Sequence, residues 1–421
     1  MSQTRRPRRV LYAWEWGAGS GHVQRFLPIA DAVSQNGDDV IWVLKEMDRL
    51  KSCPTRKGYQ VVRCPQLKPC RCGDAIPPRN LAAITWNLGY HDAERLVSVV
   101  RDWLEIFIRT RPDLVVQDFG ATAGMIARSI GIRTMRIGTG YTCPPRRELP
   151  VDLPWFAKRL SSEELQNSPS NSFANCTTSL AYEKVMDRIA AACRVNGLSV
   201  PSRWDEVVEG CEDDILATLP LLDPYAAVRA SPTWDGVWVG RQCLARVTDD
   251  NNSASNSESA AVLAYLKPFA HWKQLFAALK QLRVRVDLVA DGVSENLLQQ
   301  CDPAWVRICD GFRSIEAAAA GGMTLINNGN HGSTALSLLH GMPVIACPLF
   351  FEQRLTAEAI EEAGVGTFLD VRYPDRFIET LRTGLQEERF RARAKRFEER
   401  HASLFRDQSA AVLDRLNRQL G

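Results

Sequence analysis

The chain alternates short, uninterrupted apolar runs with longer segments whose apolar positions recur every three or four residues. The first pattern predicts buried strands and the second amphipathic helices. Residues 10–14 form the first such strand; a glycine-rich turn follows, then a helix over about 22–35 that Asn36-Gly37 closes. Residues 40–44 and 60–63 are the next strands. A long helix over about 91–110 stops before Pro112, residues 114–118 return as a strand, and 121–130 are helical up to Gly131. Continuous apolar strands separated by helices predict a parallel sheet covered on both faces.

Two stretches interrupt the rhythm. Residues 143–179 are rich in Pro, Ser and Asn and read as an irregular insertion, either a substrate wall or a plain surface excursion. Residues 246–259, centred on Asp249-Asp250-Asn251-Asn252-Ser253, are too polar to pack a core and read as a linker or loop tip. The βα rhythm then restarts, with strands over 262–266, 284–289, 306–309, 323–327 and 344–348. The expected organisation is α/β with two doubly wound, Rossmann-like parallel-sheet domains: 1–245, then the linker 246–259, then 260–400. A last helix in 401–421 is expected to cross back onto the first domain.

Bulk composition narrows the function classes. A net charge of +3 on 421 residues gives no reason to expect a nucleic-acid partner. The basic run before residue 10 leads into an apolar stretch too short for a signal peptide, and no apolar run approaches a membrane span, so a cytoplasmic location is expected. Most of the twelve cysteines stand alone in apolar settings, as at Cys243, Cys309 and Cys347, and read as small buried hydrophobes. Cys53, Cys64, Cys70 and Cys72 are closer together, but their spacing does not match a structural zinc site. No metal is expected.

Candidate chemistry begins at Gly17-Ala18-Gly19-Ser20-Gly21-His22, directly after the first strand. Gly17, Gly19 and Gly21 permit a tight turn and close approach of a ligand, although the spacing is not GxGxxG. At the start of a helix, His22 is disfavoured as imidazolium and can accept a proton; it fits equally a histidine that only bonds backbone. Asp118 ends its strand on the same sheet edge. Taken alone it fits an N-cap of the next helix; taken with His22 it fits a carboxylate that holds Nδ1–H and leaves Nε2 as a base.

The second half carries a longer motif. Residues 325–343 run from a strand through Asn328, Gly329, Asn330, His331 and Gly332 into a helix expected to open at about Ser333. Free backbone N–H groups there, with the hydroxyls of Ser333 and Thr334, suit a diphosphate; a capped helix without ligand fits the same residues. The next strand delivers Glu352 and Gln353 to the same edge, where they fit sugar hydroxyls or an ordinary helix start.

The run 328–343, followed by Pro348, Glu352-Gln353 and Gly364-Val365-Gly366, resembles the donor signature of GT-B nucleotide-sugar glycosyltransferases. It is closest to the UDP-glycosyltransferase group that includes the macrolide and glycopeptide antibiotic enzymes. Gly21-His22 with Pro28, and Asp118, are similar to that family's acceptor base and its orienting aspartate. Asn328 stands where the family usually has histidine, Leu336 where it has a ribose-binding glutamate, and Phe312 where it has a base-stacking tryptophan. The resemblance implies a GT-B fold with the site in a cleft between the domains. It implies an inverting transfer from a UDP- or dTDP-sugar to a hydroxyl of a small-molecule, lipid or glycan acceptor, with His22 and Asp118 catalytic. The base would lie against Phe312, the diphosphate at 328–334 with Lys267 nearby, and the sugar against Glu352 and Gln353, with Arg313 also among the donor-binding residues. No cofactor beyond the nucleotide sugar is implied. A catalytically silent relative that binds a nucleotide or a partner protein, and a UDP-sugar epimerase, are the alternatives.

Overall fold

The computed structural model describes residues 6–51, 59–71, 74–156, 171–208, 214–237, 261–311, 313–404 and 409–420. The chain divides into two compact units: Met1–Ala217 with Pro224–Thr233 and Gln408–Gly421, and Thr218–Asp223 with Trp234–Asp407. The expected linker 246–259 lies outside the described residues. The helix Ser409–Leu420 belongs to the first unit, where it lies on the helix Gly21–Gln35.

The first unit holds six parallel strands: β1 (Arg9–Trp14), β2 (Asp39–Leu44), β3 (Gln60–Arg63), β4 (Leu114–Asp118), β5 (Arg133–Gly138) and β6 (Ile215–Leu216), in the order β3-β2-β1-β4-β5-β6. All of β4 and five of the six residues of β1 are buried, as expected of strands covered by helices on both faces. Tyr12 stacks on Phe26 of the first helix at 4.3 Å and meets Trp42 of β2 edge-on at 5.2 Å. All three rings are fully buried, so the core fixes that helix against the β1–β2 face.

The second unit repeats the plan with β7 (Val262–Leu266), β8 (Val286–Ala290), β9 (Val306–Ile308), β10 (Thr324–Asn327), β11 (Val344–Ala346) and β12 (Gly366–Phe368), in the order β12-β11-β10-β7-β8-β9. Successive strand residues serve opposite faces. Leu263, Leu325 and Val344 enter one core with Leu338 and Ile360, while Ala264, Ile326 and Ile345 enter the other with Trp272, Phe276 and Phe377. Each order reverses direction once, between β1 and β4 and between β7 and β10. At such a switch point the loops leave to opposite sides and open a crevice at the carboxyl ends of the strands.

Local departures from the expected elements have physical causes. The long helix begins at Ala93, with Asp92 accepting the Arg95 N–H at 3.0 Å as its cap. Before it, Trp86–Tyr90 form a wide π turn around Gly89, whose φ of 130° suits glycine. A Cβ on Gly89 would stand 2.5 Å from Leu67 Cβ. Part of the stretch expected to be irregular is helical: a helix runs over Asn171–Val195.

Candidate functional site

In the first unit, Trp14 and Asp118 are register partners at the last positions of β1 and β4, so the loops that follow flank the switch point. Gly17 and Gly19 take φ of 84° and 98°, which turns the chain sharply into the helix that carries His22. His22 Nδ1 lies 3.0 Å from Asp118 Oδ1, off the line of a straight hydrogen bond. The ring stacks on Trp14 with centroids 4.8 Å apart and an interplanar angle of 18°. A Cβ on Gly17 would come within 2.7 Å of His22 Nε2, so glycine at this position leaves room for the second ring nitrogen. Asp118 does not cap the next helix: the N-cap position of Ala121–Ser129 is Gly120.

Asp118 is fully buried, and an unsupported carboxylate there would cost several kcal/mol. Its second oxygen, Oδ2, sits 2.9 Å from Arg25 Nη1 and 2.8 Å from the Tyr12 hydroxyl. The Tyr12 proton has a second acceptor at 2.8 Å, the His22 carbonyl. Burial pushes the Asp118 carboxyl up, but Arg25 and then His22 outweigh it and hold the group below the usual carboxylate range. Asp118 is therefore an anion at neutral pH. Burial raises the Tyr12 phenol far above its ordinary value, with Asp118 adding to the effect, so Tyr12 serves as a neutral donor. Sequence reading missed Arg25 and Tyr12. The one signal available was that Arg25, three residues after His22, shares its helix face.

Glu15 follows β1 and is buried, accepting the Ala123 N–H at 2.5 Å and the Thr122 N–H at 3.3 Å. It thus supplies from a distance the cap that Asp118 does not. Burial pushes its carboxyl up to about 7, against the lowering effect of the Thr122 and Ala123 hydrogen bonds. A carboxyl raised on folding holds its proton in the folded state and loses it in the unfolded one. The associated stability is present below the unfolded value, near 4.5, and disappears as pH rises through about 7. The span corresponds to about 3 kcal/mol. Glu15→Gln removes this titration, and urea melts at pH 5 and pH 8 are expected to differ less in the variant than in the parent by about that amount. Equal differences in the two proteins would contradict the assignment.

In the second unit the turn after β10 is built around Asn327. Its Oδ1 accepts the Gly329 N–H at 2.7 Å, and its Nδ2 donates to Ser333 Oγ at 2.8 Å and Thr334 Oγ1 at 2.9 Å. The helix opens at His331, two residues earlier than expected, and the Ser333 and Thr334 hydroxyls bind Asn327. The first N–H groups of a helix have no partner within it. Gly332 is half-buried, and a Cβ placed on it meets nothing within 4 Å, so the turn is open at this point. His331 Nε2 is 2.6 Å from Thr218 Oγ1, a residue of the short segment 218–223 that joins this unit.

The expected donor residues separate into two groups. Asn328 is fully buried: Oδ1 accepts the Lys267 N–H at 2.7 Å and Nδ2 donates to the Cys347 carbonyl at 3.0 Å, tying β7 to β11 across the switch point. Gln353 is also buried; it accepts the N–H groups of Leu349 and Phe350 and donates to Asn330 Oδ1 at 2.9 Å. Gly329, with φ of 76°, lies directly under the Gln353 carbonyl. These residues, with the buried Thr334, shape the turn. His331, Gly332, Ser333 and Asn330 lie on its half-buried face, and Glu352 opens the helix Phe351–Glu362. Lys267 Nζ reaches towards Asp291 at 3.7 Å. Arg313 is anchored through its backbone, whose N–H and carbonyl both lie 2.7 Å from the Tyr265 hydroxyl. Phe312, Cys53, Cys72 and Cys243 lie outside the described residues. Among the described residues no group of three or more His, Cys, Asp or Glu side chains is placed to hold a metal ion, and no helix is long and apolar enough to cross a membrane.

No protein-family model and no curated protein matches the chain. Solved structures do match it over nearly its whole length. The calicheamicin glycosyltransferase CalG4 superposes with a TM-score of 0.68 at 18% identity, covering 99% of each chain. The glycosyltransferase of kitacinnamycin gives 0.64 at 16%, covering 99% of this chain and all of the other. The glycosyltransferase VinC, solved in complex with dTDP, gives 0.61 at 17%, covering 98% and 99%. With two six-stranded parallel sheets of the same order, the protein has the GT-B fold.

Proposed function

We propose that the protein is an inverting glycosyltransferase that moves a sugar from a nucleoside diphosphate sugar of the UDP or dTDP type to an acceptor hydroxyl. The observation that carries this reading is the His22–Asp118 contact at 3.0 Å on the switch-point edge of the first unit. A buried anion held by Arg25 and Tyr12 has no need of a histidine for its own stability. Beside Nδ1 it does what a base requires, favouring the tautomer with the proton on Nδ1 and leaving Nε2 to accept another. Nε2 takes the acceptor hydroxyl proton as that oxygen bonds to the anomeric carbon. The bond from that carbon to the diphosphate breaks on the opposite side, which inverts configuration. The departing diphosphate gains charge, and the N–H groups at the start of the helix His331–Leu339 are suited to receive it. VinC and the spinosyn rhamnosyltransferase SpnG, both solved with thymidine diphosphate, support the dTDP class. The reaction as written needs no cofactor beyond the nucleotide sugar. SpnG has also been solved with the spinosyn aglycone, which supports a small-molecule acceptor.

A second reading, a nucleotide- or partner-binding relative without activity, is favoured by one feature: the polar atoms of Asn328 are committed inside the fold. Melting curves with UDP, dTDP, GDP and ADP and their sugars test donor binding. A ligand that binds only the folded state raises the melting temperature by mass action, by about 2.7 kcal/mol of stability at a hundred times Kd. A shift confined to UDP or dTDP compounds is expected; no shift with any of them would remove the donor assignment.

A further inference from the structure

We propose that Arg25 is a positioning residue of the His22–Asp118 pair: it takes one oxygen of Asp118, leaves the other for His22, and by its own charge opposes a second cation at the same carboxylate. This rests on the reading of His22 as the base. His22 and Arg25 lie three residues apart on one helix, a spacing that puts both side chains on the same face. They address the same carboxylate separately, Nδ1 at Oδ1 and Nη1 at Oδ2. The side chains of His22 and Arg25 are 13% and 12% exposed and that of Asp118 is fully buried, so solvent screens these charges weakly.

An imidazole facing a lone buried carboxylate is drawn towards its protonated form and loses its value as a base. With Arg25 in place the carboxylate is already paired, and a proton on His22 would add a second cation to the same buried anion. The other polar groups near the ring do not supply this function. Tyr12 is a neutral donor to Asp118. Trp14 offers a ring face. Lys45, beyond β2, donates to the Gly17 carbonyl at 2.6 Å. Glu15 is bonded to the Thr122 and Ala123 N–H groups. The thiol of Cys143 is held protonated by burial. On the helix Ser409–Leu420, which lies against the His22 helix, Asp414 and Arg418 are exposed and Arg415 is half-buried.

The test follows the imidazole resonances of His22 against pH by NMR. The chain has six histidines, and comparison with His22→Ala identifies the signal. In Arg25→Met the titration midpoint of His22 is expected to move up by about one pH unit relative to the parent; Arg25→Lys restores most of the parent midpoint. Removing Arg25 alone leaves a buried carboxylate partly unpaired, so Asp118→Asn and Asp118→Asn/Arg25→Met form a second pair in which that carboxylate is absent. The double variant is expected to titrate at higher pH than Asp118→Asn alone. Unchanged midpoints in folded protein would make Arg25 a structural ion pair only and overturn the proposal. The titration requires no turnover, so a protein without transferase activity still decides the role of Arg25.

Discussion

His22→Ala is expected to lower the rate of sugar transfer by about two to four orders of magnitude, the usual contribution of a positioned base. Stabilisation by nucleotide is expected to stay at the parent value, because His22 belongs to the first unit and the turn proposed to hold the donor to the second. The fold is expected to tolerate the change. The ring is half-buried at the start of its helix, and Asp118 keeps Arg25 and Tyr12 as partners. Steady-state rates at saturating donor, with a melting curve on the same preparation, check both parts. A rate within tenfold of the parent would show that the acceptor proton leaves by another route.

Gly329→Val is expected to damage the turn after β10 through two effects that add. A φ of 76° is strained for any residue with a Cβ and more so for a β-branched one. The new Cβ would also stand 2.7 Å from the Gln353 carbonyl oxygen, a backbone atom that can retreat only by moving the first turn of the helix Phe351–Glu362. Strain of about 1–3 kcal/mol from the backbone and a similar amount from overpacking are the usual magnitudes. Gly329 N–H also bonds Asn327, which holds Ser333 and Thr334, so the start of the helix His331–Leu339 moves with it. The variant is expected to lose roughly 5–15 °C in melting temperature and its response to nucleotide. Gly332→Ala, at a position where a Cβ meets nothing, is the control and is expected to melt like the parent. If Gly329→Val matched this control in stability, the account of the turn would be wrong.

How far the sequence disclosed these features depended on whether their cause was local. β1, β2 and β4 were legible because strands buried on both faces are written as unbroken apolar runs. β6, with two residues, and β12, which begins with a glycine, carry too little apolar sequence to stand out. The edge of the sheet that holds His22 and Asp118 followed from the βα rhythm, since both residues stand at or just past the carboxyl end of a predicted strand. The partners of Asp118 did not follow. Tyr12 lies in an apolar run and Arg25 on an amphipathic helix, and nothing within a few residues of Arg25 marks a contact made across 93 positions. Nothing near Glu15 in the sequence marks that its carboxyl caps a helix more than 100 residues later. In the second unit the run 328–334 was visible as a polar turn, but its internal division was not. Asn327, inside a strand, organises the hydroxyls that would otherwise have been read as caps, and Asn328 is drawn into the scaffold by bonds to Lys267 and Cys347.

The central claim is that this GT-B chain transfers sugar with His22 as the base. It is tested most directly by incubating the parent and His22→Ala with UDP- and dTDP-sugars and a panel of hydroxylated small-molecule acceptors, and following release of the nucleoside diphosphate. The account predicts acceptor-dependent release by the parent, a product whose anomeric configuration is inverted relative to the donor, and near-complete loss in His22→Ala. Equal release by the two proteins, or a product that retains the donor configuration, would contradict it.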